Sequence, residues 1–174
     1  MKLLILNSFR NDKLNLAFLW LFLTPLALIG FAIYLEIYQG LAPCPLCSIQ
    51  RGEYLIISFG GLLGLLFNRY RLISSFFLFI SFIGSVLGLL TSGRHIQLQY
   101  MDPDDVPSCG PDLAYMLDAF PIFDTLKTVI SGSGSCADVA WSFLNLTIPE
   151  WAFICFFFYM VLAALMINFK INVK

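Results

Sequence analysis

Charged residues are scarce in this chain. Lys, Arg, Asp and Glu make up 12% of its 174 residues, against roughly 25% in a typical soluble domain. Apolar residues make up 59%, which is more apolar surface than a water-soluble fold can hide. The net charge of −1 also argues against the basic surface that a nucleic-acid partner requires. The composition therefore indicates one integral membrane domain and no nucleic-acid partner.

Four long apolar runs follow one another, each close to the roughly 20 residues that a membrane-spanning helix needs. They cover residues 14–34, 49–67, 72–90 and 149–169. The second run is the weakest because Arg51 and Glu53 occupy its first turn, but both side chains can extend to the membrane interface. We therefore predict an all-α membrane protein, a four-transmembrane-helix bundle forming a single membrane domain over residues 1–174, with loops at 35–48 and 91–148.

Basic residues are segregated to one side of the predicted bundle. Seven of the ten lie before the first run, between the second and third, or after the fourth: Lys2, Arg10, Lys13, Arg69, Arg71, Lys170 and Lys174. The opposite side carries Arg94, Lys127 and most of the acidic residues. Because basic residues favour the cytoplasmic side, both termini are predicted to be cytoplasmic and both loops to lie outside.

The second outer loop has a helical pattern of its own. Apolar residues recur there at i, i+3, i+4 and i+7: Leu113, Met116, Leu117 and Phe120. The same spacing continues beyond Pro121 to Phe123, Leu126 and Ile130. This pattern predicts a short amphipathic helix on the membrane surface.

Four of the five cysteines fall in the two outer loops. Cys44 and Cys47 form Cys-Pro-Leu-Cys in the first loop, and Cys109 and Cys136 lie in the second. A disulfide across two residues closes too short a loop to stabilise a fold, so Cys-x-x-Cys favours redox chemistry. Cys109 and Cys136 have Pro-, Gly- and Ser-rich surroundings, where mobile thiols can approach a disulfide for exchange. Two structural disulfides are the alternative. Cys155, inside the fourth run, is interpreted as a small buried apolar residue.

Cys47 is the candidate thiolate. It lies at the start of the second helix, where the positive end of the helix dipole favours a negative sulfur. Arg51 lies one turn further on the same face, so it can lower the Cys47 pKa and stabilise an anion on a bound acceptor. The simpler interpretation of Arg51 is an interfacial anchor.

Metal binding is the competing use of four cysteines. The chain has a single histidine, His95, near a predicted membrane boundary. The oxidising side of the membrane also works against zinc thiolates. No metal site is therefore predicted.

Together these motifs resemble the bacterial DsbB family of inner-membrane thiol:quinone oxidoreductases. The resemblance rests on the outward Cys-x-x-Cys, the second cysteine pair in its Ser-Gly-Ser-Cys-Ala-Asp context, and four spaced motifs: Cys47-x-x-x-Arg51, Gly93-x-His95, Trp141-x-Phe-Leu and Pro149-x-Trp151. It extends from about residue 14 to about residue 168.

The resemblance implies two redox-active disulfides, Cys44–Cys47 and Cys109–Cys136, in a multi-pass inner-membrane protein whose active loops are periplasmic. A reduced DsbA-like periplasmic thiol oxidase attacks the second disulfide through Cys109. Cys136 then attacks Cys44, and Cys47 passes the electrons to ubiquinone or menaquinone from the membrane pool.

The resemblance also assigns Arg51 and His95 to quinone binding, whereas the simpler interpretation makes His95 an interface or capping residue. One alternative is a paralogue dedicated to a single DsbA-like partner, a choice that residues 96–135 would decide. A second is an enzyme of the vitamin K epoxide reductase type, which the motif order disfavours. The alternative from another class is a non-catalytic membrane scaffold with two structural disulfides.

Overall fold

A computed structural model describes residues 2–41, 43–102, 118, 121, 123–124, 134–139 and 141–172 of the chain. Helices dominate this part. In chain order the elements are α1 (Lys2–Gln39), α2 (Pro45–Leu66), α3 (Arg71–Gln99), the single turn α4 (Gly134–Ala137), β1 (Ser142–Phe143), β2 (Leu146–Thr147) and α5 (Ile148–Asn172). The two short strands pair in an antiparallel hairpin just before α5.

Three of these helices are long and apolar enough to cross a membrane. The qualifying stretches are Asp12–Gln39 of α1, Arg71–Gln99 of α3 and Ile148–Lys170 of α5. Helix α2 has 22 residues, a rise of about 33 Å, but Gln50, Arg51 and Glu53 make its first turns polar. The prediction of a helical membrane protein is confirmed, and the count of four spans stays a prediction.

Helix α2 begins at its cysteine motif. Cys44 is extended, with φ −73° and ψ 163°, and its Sγ accepts a hydrogen bond from the Cys47 N–H at 3.3 Å. Pro45 takes the first helical position, where its fixed φ suits a helix and its missing N–H leaves no bond unmade. The proline of the motif therefore fixes where α2 starts and keeps both cysteines at its first turn.

Small residues bring α2 close to both of its neighbours. A Cβ at Gly61 would lie 2.9 Å from the Leu21 backbone on α1, and one at Gly60 would overlap the Ser81 hydroxyl on α3. Ser81 Oγ also donates to the Ile57 carbonyl at 3.1 Å. Close backbone approach at small residues, with hydroxyls bonding across helices, is typical of helix packing in membranes.

The bundle buries its core and exposes an apolar outer surface. Phe18, Ile57, Leu78 and Phe156 are completely buried between the helices. Many other large apolar side chains point outward, among them Leu72 at 87% exposure. Such a surface would be unstable in water and suits contact with lipid.

Polar contacts gather three parts of the chain at one end of the bundle. Lys170 Nζ donates to Ser74 Oγ at 2.5 Å and to the Asn68 carbonyl at 3.4 Å. Asn68 Nδ2 donates to Asn15 Oδ1 at 2.6 Å. The early part of α1, the turn between α2 and α3 and the end of α5 therefore lie together. Cys44, at the opposite end of α2, lies at the other end of the bundle.

Helix α3 continues through Gln99, past the predicted end of its span at Leu90. His95 is consequently a helical residue with 3% exposure, although its position falls within the range predicted as a loop. The predicted amphipathic helix between Leu113 and Ile130 lies, apart from isolated positions, outside the described residues. Cys109 also lies outside them.

Candidate functional site

The two cysteines of the motif interact directly at the first turn of α2. Cys44 Sγ donates a hydrogen bond to Cys47 Sγ at 3.1 Å. This hydrogen bond is the main cause that lowers the pKa of Cys47, which precedes the predicted span, and the Arg51 charge acts in the same direction more weakly. Contacts with Cys136 and Cys47, and burial, raise the pKa of Cys44.

Cys136 and His95 approach Cys44 from two other elements. Cys136 lies on α4 with 1% exposure, and His95 lies on α3 with 3% exposure. His95 Nε2 is 3.8 Å from Cys44 Sγ. One ligand atom from each of Cys44, His95 and Cys136 lies within 4.8 Å of the other two. The structure therefore brings together residues that the sequence places in three separate segments.

An apolar cavity of about 620 Å³ lies beside these residues. Helices α1, α2, α3 and α5 and the hairpin contribute its walls, and aromatic residues such as Phe31, Trp141 and Trp151 make up much of them. Its polar groups include Cys47, Arg51 and His95. The volume falls within the roughly 300–1,000 Å³ typical of small-molecule sites, and mostly apolar walls with a few polar groups are the usual composition of such sites.

Arg51 lines the cavity and is paired across helices. Its Nη1 donates to Glu36 Oε2 on α1 at 2.7 Å, with the two side chains 25% and 36% exposed. A partly exposed ion pair is worth about 0–1 kcal/mol, so the guanidinium can exchange this partner for another anion at little cost. The sequence analysis missed Glu36, because nothing in the chain pattern shows that α1 brings it to Arg51.

Two buried nitrogens at the cavity have no hydrogen-bond partner among the described residues. They are Gln50 Nε2 and His95 Nδ1, on side chains 4% and 3% exposed. A buried unsatisfied group costs about 1–3 kcal/mol. Gln50 Nε2 is a donor, so a ligand that offers it an acceptor would relieve that cost. The sequence analysis proposed His95 and missed Gln50, although Gln50 follows Cys47 by three residues and so shares its helix face.

Two expectations about single residues need adjustment. Glu53, interpreted as an interfacial charge, is 5% exposed, and its Oε2 accepts a hydrogen bond from Thr91 Oγ1 at 2.7 Å. Glu53 is thus buried between α2 and α3 and does not lie at the interface. The Thr91 hydroxyl on the facing helix supplies a hydrogen bond to its carboxylate. Cys155, interpreted as a small buried apolar residue, is half-buried and lines the cavity.

A helical membrane protein that packs a Cys-x-x-Cys motif against a third cysteine, beside an apolar cavity, is a thiol redox protein of the membrane. Residues 14–166 match the family model described as Disulfide bond formation protein DsbB. The chain belongs to the DsbB family, and the family predicted from its motifs is confirmed.

Relatives named Disulfide bond formation protein B match most of the chain. The protein from Saccharophagus degradans is 40% identical over 156 residues, covering 90% of this chain and 91% of its own length. The protein from Nitrosococcus oceani is 42% identical over 141 residues, covering 81% and 83%. The protein from Acinetobacter baumannii is 40% identical over 137 residues, covering 78% and 80%.

Proposed function

We propose that this protein is a protein-thiol:quinone oxidoreductase, which reoxidises a DsbA-like periplasmic thiol oxidase and passes the electrons to a membrane quinone. The observation that carries the proposal is the position of Cys47, which lines an apolar cavity while its sulfur lies 3.1 Å from Cys44. Cys44 in turn contacts Cys136, the cysteine of the second pair. Family membership supports disulfide formation as the reaction.

The cysteines exchange disulfides first with the partner and then, as a second step, between the two cysteine pairs. A thiolate of the reduced partner attacks the Cys109–Cys136 disulfide at Cys109, forming a mixed disulfide and releasing Cys136 as a thiolate. The partner's second thiol resolves the mixed disulfide and leaves Cys109 reduced. Cys136 attacks Cys44 of the Cys44–Cys47 disulfide, so that a Cys44–Cys136 disulfide forms and Cys47 leaves as a thiolate. When the thiols of Cys47 and Cys109 give up two electrons to the quinone, the Cys44–Cys47 and Cys109–Cys136 disulfides re-form. The buried contact between Cys44 and Cys136 supports this second step, because exchange requires a close approach of the two sulfurs.

The cavity suits the head group of ubiquinone or menaquinone. A bound quinone supplies an acceptor for two electrons and two protons. Arg51 provides positive charge next to it, the unpartnered Gln50 Nε2 can donate to one of its oxygens, and His95 lines the same cavity. The apolar and aromatic walls exclude water, which strengthens each of these polar contacts.

A strongly oxidising final acceptor is needed on thermodynamic grounds. DsbA has a reduction potential near roughly −120 mV, and a difference of 30 mV corresponds to about 1.4 kcal/mol in a two-electron couple. An ordinary structural disulfide, with a potential below about −300 mV, is therefore too weak an oxidant to reoxidise the reduced partner. Removal of electrons to a quinone drives the relay in the direction of disulfide formation.

The proposal includes an arrangement in the membrane. Residues 1–174 form one domain of the bacterial inner membrane, in which α2 spans the bilayer in addition to α1, α3 and α5. Both termini lie in the cytoplasm, and loops 35–48 and 91–148 lie in the periplasm. Basic residues at one end of the bundle and the cysteines at the other support this orientation.

A quinone-reduction assay tests the proposal. Purified protein with reduced DsbA should reduce ubiquinone or menaquinone, and comparing the two identifies the acceptor. Cys47→Ser protein, folded normally, should lose this activity. A non-catalytic scaffold would reduce neither quinone. A paralogue with one dedicated partner would accept electrons from that partner and fail with other DsbA-like proteins.

A further inference from the structure

Three metal-ligating side chains converge at a buried point of the molecule. Cys44, His95 and Cys136 are 8%, 3% and 1% exposed, and one ligand atom from each lies within 4.8 Å of the other two. They come from the N-cap of α2, from α3 and from α4. Disulfide exchange needs the two sulfurs near each other, but it does not require an imidazole nitrogen at the same point.

The spacing is close to that of a zinc site. Zn–S bonds of about 2.3 Å and Zn–N bonds of about 2.0–2.1 Å in a tetrahedron place two ligand sulfurs about 3.8 Å apart and a sulfur and a nitrogen about 3.6 Å apart. The Cys44 Sγ to His95 Nε2 distance is 3.8 Å. The three groups therefore need only small side-chain movements to bind one ion. Cys47 Sγ, 3.1 Å from Cys44 Sγ, is close enough to be the fourth ligand.

Charge also favours a dication at this point. Two buried thiolates would be costly in isolation, whereas two thiolates, one neutral imidazole and Zn²⁺ carry no net charge. A metal ion therefore stabilises the deprotonated form of both thiols. Loss of up to two protons accompanies binding, and no electron is transferred.

We propose that the reduced protein binds one Zn²⁺ ion through Cys44, His95 and Cys136, and that the bound ion blocks the relay. The site forms only while both cysteines are thiols, because a sulfur held in a disulfide is not available as a thiolate ligand. The oxidising compartment disfavours resident zinc thiolates in the oxidised protein, and that argument does not apply once the cysteines have received electrons. Zinc thus acts on the protein in which both disulfides are reduced, and it holds Cys44 and Cys136 as ligands so that neither sulfur is available to re-form a disulfide.

Direct metal binding tests the site without any need for quinone or partner. The full-length protein in detergent is reduced, freed of reductant without oxygen, titrated with zinc chloride and desalted, and its zinc content is measured. The expected result is one ion per chain in the reduced protein and none in the oxidised protein. Cys44→Ser and Cys136→Ser should each weaken zinc binding at least roughly tenfold. Loss of a residue that only hydrogen-bonds a metal ligand already lowers metal affinity by about 10–100-fold, and these two cysteines would bind the ion directly. His95→Ala should also weaken it.

Matched variants separate this site from general thiol chemistry. Cys155→Ala removes a thiol outside the cluster, and Cys109→Ser removes a relay cysteine outside the proposed ligand set, so both should keep full zinc binding. Equal binding by reduced and oxidised wild type would overturn the site whatever the variants do. So would undiminished binding by Cys44→Ser and Cys136→Ser, or no binding by reduced wild type.

The inhibitory effect rests on the proposed function and has a separate test. Protein loaded with zinc should lose quinone reduction and regain it when a chelator removes the ion. Zinc binding with unchanged turnover would contradict the inhibition and leave the site intact. A metal-free protein without turnover would instead contradict the proposed function.

Discussion

The acidity of Cys47 depends mainly on its neighbour in the motif. The sequence analysis attributed a stabilised thiolate to the helix dipole and to Arg51. In the structure the leading cause is the hydrogen bond donated by the Cys44 thiol, with the Arg51 charge a smaller one. The two cysteines are therefore unequal because one donates and the other accepts. Cys47 is therefore the cysteine of the pair whose sulfur carries the negative charge.

Replacement of Cys44 tests that hydrogen bond. In the reduced protein, Cys44→Ala should raise the Cys47 pKa toward the ordinary value of about 8.5, because the donor is lost. Cys44→Ser keeps a hydroxyl donor and should raise it less. The pH dependence of Cys47 alkylation, measured with the other cysteines replaced, gives both values. Indistinguishable pKa values in the Ala and Ser variants would contradict a leading role for the donor.

Arg51 and its partner Glu36 offer a second test at the scale of single residues. Arg51→Ala should raise the apparent KM for quinone roughly tenfold or more, because hydrogen bonds to charged groups contribute about 1.5–3 kcal/mol. Arg51→Lys should lie between, since it keeps the charge but loses the planar set of donors. Glu36→Gln should lower KM by up to about fivefold, because it removes a competing anion worth about 0–1 kcal/mol.

The interpretation of Arg51 as an anchor predicts a different result. Anchor variants would insert or fold less well, with normal quinone kinetics in the protein that does fold. Measuring KM on folded protein, together with its thermal midpoint, separates the two. An unchanged KM in Arg51→Ala would remove Arg51 from quinone binding.

Part of this site was predictable from the sequence. The Cys-x-x-Cys motif singled out Cys47, and the spacing of Arg51 from it together with the family resemblance singled out Arg51, because residues four apart share a helix face. Glu36 and Gln50 were missed for different physical reasons. The Glu36 contact depends on how α1 packs against α2, and the importance of Gln50 lies in the burial of an amide nitrogen without a partner. Neither property is encoded in a local pattern.

At the scale of elements, glycines determine how closely the helices pack. The atoms nearest to a Cβ at Gly61 are backbone and Cβ atoms of α1, which cannot rotate away. Hydropathy identified these helices as apolar runs, but it did not show which faces meet. That choice depends on where side chains are small enough for two backbones to approach.

Gly61→Ala should therefore separate α1 from α2. Overpacking of this kind costs about 1–3 kcal/mol, and the thermal midpoint of the protein in detergent should fall. Gly30→Ala is the matched control, because nothing lies within 4 Å of its Cβ position on α1 and alanine favours a helix over glycine by up to about 1 kcal/mol. Equal midpoints for the two variants would contradict the close contact at Gly61.

Helix α3 shows a second limit of hydropathy at this scale. Its apolar run ends at Leu90, yet the helix continues to Gln99 and carries His95 to Cys44. Polar residues in this last part of α3 are buried or hydrogen-bonded by residues of other elements. Gln99 Oε1, for example, accepts a hydrogen bond from Thr147 Oγ1 at 2.9 Å. The run predicts where a helix can cross lipid, whereas tertiary contacts decide where it ends.

At the scale of the whole molecule, the two ends of the bundle differ in chemistry. One end carries Lys170 beside the turn that contains Asn68 and Arg69, and the other carries Cys44, Cys136 and His95. The sequence predicted this division from charge alone, without use of the cysteines. Basic residues are retained on the cytoplasmic side, and disulfides persist on the opposite side. In the proposed orientation the redox site therefore faces the compartment in which disulfides persist.

Reporter fusions test this orientation. Fusions at residue 70 and at the C-terminus should give cytoplasmic signals, because both points lie at the basic end. A fusion at residue 105 should give a periplasmic signal, since α3, which is long and apolar enough to cross a membrane, lies between residues 70 and 105. The fusion at residue 70 also tests α2, because a cytoplasmic N-terminus and a cytoplasmic residue 70 require two crossings between them. A fusion near residue 12 supplies that reference point. A cytoplasmic signal at residue 12 with a periplasmic one at residue 70 would show that α2 does not cross, and an inverted pattern throughout would place the cysteines in a reducing compartment and contradict the relay.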